Sequence, residues 1–337
     1  MKIILPIICG MISLLSPCIG GQGAFSLKGD KIYLIPVEGF GQLHIIDTAN
    51  NQSKSVSLGK NLAAANIDSL AVSPKGEILF AAAGALWKWN EGDKDAQKIA
   101  SFEEEFRVID ISCCHGNQSA PEGTIFTLID QEDSNDSSLI ALMPGKKKFS
   151  SVFCRRNSPF SAPQTDAAGR MFLASNCDLW EASFVPEEEN DPELDRAGTI
   201  TGSRIAPLAL MNTDIANSGA MVVRGVASCG TVVYASTHGR HMGAVIQFQA
   251  PEKPLYSKED DSEHPDLQAS VTLMKNALAS AKILYDGSPC DALCTYHSTK
   301  DSKENLVFWR QDLEGDRAWM LQKGVSPAMK IGSDPRP

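Results

Sequence analysis

The chain lacks the short motifs that mark several common enzyme classes. It has no Gly-x-Ser-x-Gly elbow, no phosphate loop and no dinucleotide fingerprint, so elbow-type hydrolases, P-loop NTPases and Rossmann oxidoreductases lose support. No Cys-x-x-Cys pair or Cys/His set has zinc-site spacing. After residue 15 no apolar run approaches the roughly 20 residues that a bilayer demands, so no transmembrane segment is expected beyond the N-terminus. Cations are the minority, 31 Lys and Arg against 41 Asp and Glu, and a net charge of -10 offers no global basic field for a nucleic-acid backbone. Long amphipathic helices are nearly absent as well. The best candidate, residues 267–283, also reads as two strands with a turn near Asn276-Ala277, and strands are expected there.

What is present begins with 43% hydrophobic and 21% charged residues over 337 positions, an ordinary globular balance with enough apolar side chains for a substantial core. Met1-Lys2, an apolar run from Ile3 to Leu15 and small residues through Gly20, Gly21 and Gly23 follow the order of a secretory signal. Residues 1–23 are therefore expected to be a leader cut after Gly20 or Gly23, and residues 24–337 a single exported domain, periplasmic or extracellular. Cys18 follows an apolar run as in lipoproteins, but Pro17 stands where such signals have a small residue, which argues against a lipid anchor. Seven cysteines remain beyond the leader: Cys113, Cys114, Cys154, Cys177, Cys229, Cys290 and Cys294. An exported compartment permits disulfides, and an odd number leaves at least one thiol unpaired. Cys113-Cys114 is a candidate vicinal bridge or redox pair, with buried free cysteines as the alternative.

Self-comparison is the most informative step, because a fixed period of 20 to 50 residues marks an array. The stretch 73–87, Ser-Pro-Lys-Gly-Glu-Ile-Leu-Phe-Ala-Ala-Ala-Gly-Ala-Leu-Trp, aligns without a gap to 166–180, Asp-Ala-Ala-Gly-Arg-Met-Phe-Leu-Ala-Ser-Asn-Cys-Asp-Leu-Trp. Each reads as a turn glycine, an apolar strand, a short turn and a second strand opening on Leu-Trp. Weaker copies place anchors at 29, 76, 123, 169, 230 and about 290, in steps of 47, 47, 46, 61 and about 60. The two long steps coincide with acidic, proline-bearing insertions at 186–196 and 251–266, whose composition cannot pack a core. Flanking strands are expected before each anchor, including 67–72, 108–112, 220–227 and 281–285, and after each Leu-Trp strand, including 271–274 and 319–322. Trp87, Trp89, Trp180 and Trp309 recur as core between units.

Four strands per unit and six units predict an all-β fold, a six-bladed β-propeller of four-stranded antiparallel blades. The glycine turn, apolar strand and Leu-Trp pattern resembles the repeat of sensor-type propellers, in which an Asp-x-x-Gly turn precedes a strand; Asp166 keeps that Asp and Ser73 replaces it. The tail 325–331 is expected to lie beside the first unit and help close the ring.

That resemblance implies a ligand face formed by the turns between second and third strands together with the links between blades. On the sequence frame this face holds Asp130, Asn176, Asp178, His238, Arg240, His241 and His297. Two imidazoles beside a guanidinium in His238-Gly239-Arg240-His241 have the chemistry to bind an anion, hold a metal or exchange protons near neutral pH. Arg107, Arg155, Arg156 and Arg224 fall in links or inner strands and suit a carboxylate or phosphate. No catalytic motif stands out. The expected role is a non-enzymatic recognition or scaffold module of the cell envelope or exterior that takes a protein, a glycan or a small anion without a cofactor. The rival is a metal-assisted hydrolase, because resemblance to gluconolactonase-like propellers implies a divalent cation in the central channel.

Overall fold

The computed structural model describes residues 23–36, 40–102, 106–131, 137–154, 161–165, 169–175, 178–187, 196–207, 222–229, 232–238, 243–250, 275–276, 279–287, 290–298, 303–311, 317–323 and 328–334. At some strand positions, among them 178, 222–225, 237–238 and 285–298, the backbone alone is described.

Strand formation follows the repeat. The first meander is β1 (Gly23–Phe25), β2 (Lys31–Leu34), β3 (Gln42–Asp47) and β4 (Ser53–Ser57). The second is β5 (Ile67–Val72), β6 (Ile78–Ala82), β7 (Ala85–Trp89) and β8 (Gln97–Ser101). The third is β9 (Phe106–Cys113), β10 (Ile125–Gln131), β11 (Ser137–Leu142) and β12 (Ser150–Cys154). The fourth is β13 (Gln164–Thr165), β14 (Met171–Ser175), β15 (Asp178–Pro186) and β16 (Arg196–Pro207). The fifth is β17 (Val222–Cys229), β18 (Val232–His238), β19 (Gly243–Gln249) and β20 (Lys282–Gly287). The sixth is β21 (Cys290–Ser298), β22 (Lys303–Gln311), β23 (Arg317–Lys323) and β24 (Met329–Asp334). Anchor glycines Gly29, Gly76, Gly123 and Gly169 all take left-handed φ, at 66°, 83°, 85° and 84°, the conformation that a side chain resists.

Within each meander neighbouring strands pair antiparallel, and the chain is a β-propeller in architecture. Hydrogen bonding groups the strands into five sheets rather than six. The third and fourth meanders merge into one of eight strands because the outer strand β12 pairs in parallel with β16, Val152 opposite Gly198 and Phe153 opposite Thr199.

Packing explains the ring. Every residue of β6 is buried, since its two faces meet different neighbours: Ile78, Phe80 and Ala82 join the first meander's Leu43 and Ile45, while Leu79 and Ala81 join the third meander's Val108 and Ile125. The same relation continues around the chain. Phe126 and Leu128 meet Met171 and Phe184, then Phe172 and Leu179 meet Val233 and Phe248, then Tyr234 and Val245 meet Leu306 and Phe308. Finally Val307, Trp319 and Leu321 return to Phe25, Ile32 and Leu34. Each fully buried phenylalanine contributes about 2 kcal/mol by the area it removes from water. Outer strands β4 and β8 are largely exposed and correspondingly polar.

Three expectations are corrected. The tail does not pair as a strand of the first unit, since β24 pairs with β23, but it does lie beside that unit, with Ile331 packed against the cluster that holds Phe25, Ile32 and Leu34; the seam closes by packing, supplemented by Lys323 Nζ donating to Thr48 O at 2.8 Å. Residues 281–285 do not open the last unit, because β20 is the fourth strand of the fifth meander. The described part of 267–283 is helical at 275–276 and 279–280 before β20 begins, and residues 271–274 lie outside the described set.

Candidate functional site

An antiparallel meander alternates its turns between two ends. First-to-second and third-to-fourth turns share one end; second-to-third turns share the other, where the fourth strand of one meander also hands the chain to the next. That second end is called the mouth here, since the links and the inner-strand starts surround the channel there.

Asp68 and Arg107 lie at the mouth on neighbouring inner strands. Asp68 sits in a bulge of β5, where pairing shifts between Ile67 and Ser69, and such bulges re-aim a side chain. Arg107 is the second residue of β9 and is exposed. Asp68 presents surface to solvent, yet protein crowds it enough that burial pushes its carboxyl up to about 6, with Arg107 pulling the other way. On the other flank of Arg107, Asp130 is its cross-strand partner and accepts the Ser137 hydroxyl at 2.7 Å. One guanidinium thus stands among two carboxylates, one of which is poised to gain a proton in mildly acidic solution.

The same end also carries exposed apolar side chains, among exposed Lys60, Asn61 and Asn66 of the link. Phe40 is 51% exposed on the β2–β3 turn. Its neighbour Gly41 is pinned to the link between the first two meanders, donating to Ala65 O and accepting from Leu58 N–H, both at 2.8 Å. A Cβ on Gly41 would fall 2.1 Å from Leu62 O, so only glycine permits this approach. Ala63 and Ala64 of the link and Ala83 of the β6–β7 turn are exposed at the same end. An exposed aromatic ring next to a pinned glycine is a recognition feature of the kind that anchors interfaces.

The sequence-derived candidates distribute unevenly. Asp130 is at the mouth as expected. His238 ends β18 and Asp178 opens β15, both mouth positions by backbone. Arg224 occupies a bulge of β17 between Val223 and Gly225. Arg155, Arg156, Asn176, Arg240 and His241 lie outside the described residues. His297 is displaced: it is the penultimate residue of β21, next to the turn into β22, and that is a first-to-second turn. Topology therefore puts it at the end opposite His238. Among the described residues no group of three or more His, Cys, Asp and Glu side chains is arranged to hold a metal ion.

At that opposite end a different histidine ties three meanders together. His115 Nε2 donates to Val72 O at 2.9 Å, and its backbone N–H donates to Thr165 Oγ1 at 2.9 Å. Burial lowers its pKa, so the neutral ring is favoured. Cys113 and Cys114 precede it, and strand alternation sends them to different cores, Cys113 between the second and third meanders and Cys114 between the third and fourth. Both are free and buried, and burial pushes the Cys113 thiol up to about 12 and the Cys114 thiol higher still. A vicinal bridge and a reactive thiolate are both disfavoured by this placement.

Sequence reading missed Asp68 and, although it placed the turn Glu38-Gly39-Phe40-Gly41 on the ligand face, did not single out Phe40. A lone carboxylate within the apolar run Ile67-Asp68-Ser69-Leu70-Ala71-Val72 was the available signal for the first. Phe40, flanked by two glycines in a turn, was the signal for the second.

No family model matches the chain, and no curated protein sequence does. Solved structures do. A protein assigned as TolB from Agrobacterium tumefaciens superposes with a TM-score of 0.52 at 12% identity, over 87% of this chain and 88% of that one. A calcium-binding protein, regucalcin, from Agrobacterium tumefaciens strain C58 gives 0.48 at 12% identity, over 87% and 82%. An ancestral GH74 enzyme gives 0.49 at 12% identity over 96% of this chain, which spans only 39% of that enzyme. The likeness to the first of these supports the β-propeller fold and nothing finer.

Proposed function

We propose that the chain is an exported six-bladed propeller, its eight-stranded sheet counting as two blades, that recognises a protein partner through its mouth. The observation that carries this reading is Phe40, half exposed beside Gly41, which two backbone hydrogen bonds and a close approach pin to the link between the first two meanders. Exposed alanines around it extend the apolar surface, and Arg107 beside Asp68 and Asp130 supplies a polar centre of the kind that fixes orientation in an interface. His238, Arg240, His241, Arg155, Arg156, Arg224, Asn176 and Asp178 belong to the same end by sequence position and are proposed as further contacts. The rival reading, a cation-dependent hydrolase, rests on the resemblance to gluconolactonase-like propellers, with Asp130, Asn176 and Asp178 as oxygen donors. His297, at the far end, adds no nitrogen donor to that set.

A photo-crosslinking amino acid placed at Phe40 tests the reading against the same probe at Leu27, which is 45% exposed in the β1–β2 turn at the opposite end. Irradiation in the producing cells is expected to give a discrete protein adduct from position 40 and none from position 27. Adducts from position 27 alone, or equally from both, would overturn it.

A further inference from the structure

β1 is a three-residue inner strand, against six residues in β5 and eight in β9. Its first residue, Gly23, pairs with Leu34, and all three of its residues are buried. Ala24, 9% exposed, packs into the core shared with the second meander, and Phe25 packs into the seam with Val307, Trp319 and Leu321. The seam has no exchanged strand to reinforce it. β1 runs away from the mouth, as every first strand does, so whatever precedes Gly23 leaves the fold at the mouth.

The sequence offers two bonds for leader removal, after Gly20 and after Gly23. Resting on the reading that the chain is exported, we propose that a leader peptidase hydrolyses the Gly20–Gly21 bond and spares Gly23–Ala24. Water supplies the atoms: its hydroxyl joins the Gly20 carbonyl carbon as the C–N bond breaks, and the Gly21 nitrogen takes up protons to become the new ammonium. A cut after Gly23 would instead place that ammonium on buried Ala24, between two apolar cores, where removing a charge from water is costly. It would also delete the Gly23–Leu34 pairing and leave two residues of strand beside the seam between the first and last meanders. A cut after Gly20 keeps Gly23 in its pairing with Leu34 and puts the new ammonium two residues ahead of the strand in sequence.

Intact mass of the protein recovered outside the cytoplasm decides the bond. A mass matching residues 21–337 is expected. Any other start overturns the proposal: residues 24–337 or a lipid-bearing chain from Cys18 would leave export standing, whereas recovery only as uncut 1–337 inside the cell would overturn export as well. The physical reason has its own test. Chains 21–337 and 24–337, each released from a cleavable fusion, are compared by thermal melting. The shorter chain is expected to melt about 3 °C or more lower, with the gap narrowing above about pH 8 as the amine loses its charge. Equal midpoints would overturn that reason.

Discussion

The Ser69 hydroxyl donates to the Asp110 carboxylate at 3.2 Å and accepts the Ile111 N–H at 3.0 Å, joining the inner strands of the second and third meanders in the buried interior. Asp110 passes the connection on, its second oxygen accepting the Ala162 N–H at 2.9 Å ahead of the fourth. Counted back from the anchor glycine turns by strand pairing, Ser69, Asp110 and Ala162 are equivalent positions, so one polar belt ties three consecutive meanders. Gly23 and Val226 take that position in the first and fifth, and the belt stops there. Asp110→Ala leaves buried donors without their acceptor and is expected to lower the unfolding free energy by about 2–4 kcal/mol. Urea denaturation checks this, and Ser69→Ala should cost less, about 1 kcal/mol.

Arg170 and Glu181 form a buried pair in the fourth meander, with Nε and Nη2 donating to one carboxylate oxygen at 2.9 and 2.8 Å and the guanidinium lying 5.4 Å from the Phe172 ring centre. Removing one partner strands the other charge. Glu181→Ala is expected to destabilise by about 3–5 kcal/mol, whereas Arg170→Met with Glu181→Leu costs far less. Equal losses in denaturant titrations of the two variants would contradict this.

Asp68 gives the fold a pH dependence. Its carboxyl is raised to about 6 in the folded chain against the ordinary range near 4 when unfolded. Stability from this group is fully present below the unfolded value and is lost as pH rises through 6, so ionisation at neutral pH works against folding. Asp68→Asn should raise the melting temperature at pH 7.5 and flatten the melting profile between pH 5 and 7. His115 has the opposite sign: its lowered pKa stabilises above its ordinary value and is lost in acid.

Cys113 and Cys114 should remain thiols in the folded protein, even under oxidising conditions. Peptide mapping without reductant is expected to find them unlinked to each other, and alkylation of the native protein should leave both unmodified until it is denatured. A mass loss of two hydrogens in the peptide that holds both would contradict their placement in separate cores.

Much of the fold was legible from the sequence because the glycine turn and the apolar strand after it are one physical unit repeated. The reading slipped where that unit is absent. Residues 299–302, Thr-Lys-Asp-Ser, carry no glycine, so Cys290 stood in as an anchor. The apolar stretch Ile283-Leu284-Tyr285 in β20 resembled an inner strand although Ile283 is 45% exposed on the outside. Outer strands such as Ser53–Ser57 are normally polar, and an apolar one mimics the core. The parallel contact of β12 with β16 is set by long-range register and left no local trace. At the site, polar turn residues such as Asp130 carried the signal; the turn Glu38-Gly39-Phe40-Gly41 fell on the same face without Phe40 standing out, and Asp68 was hidden inside a strand.

The assignment of β21–β24 as the last meander underlies the layout of the two ends, because it sends His297 to the end opposite His238 and away from any set of histidines at the mouth. A distance between spin labels carried on non-natural amino acids at these two positions tests it directly. Strands of this length rise about 3.3 Å per residue, so a separation of about 20 Å or more is expected. Labels within about 12 Å would place both histidines at the mouth and contradict the account.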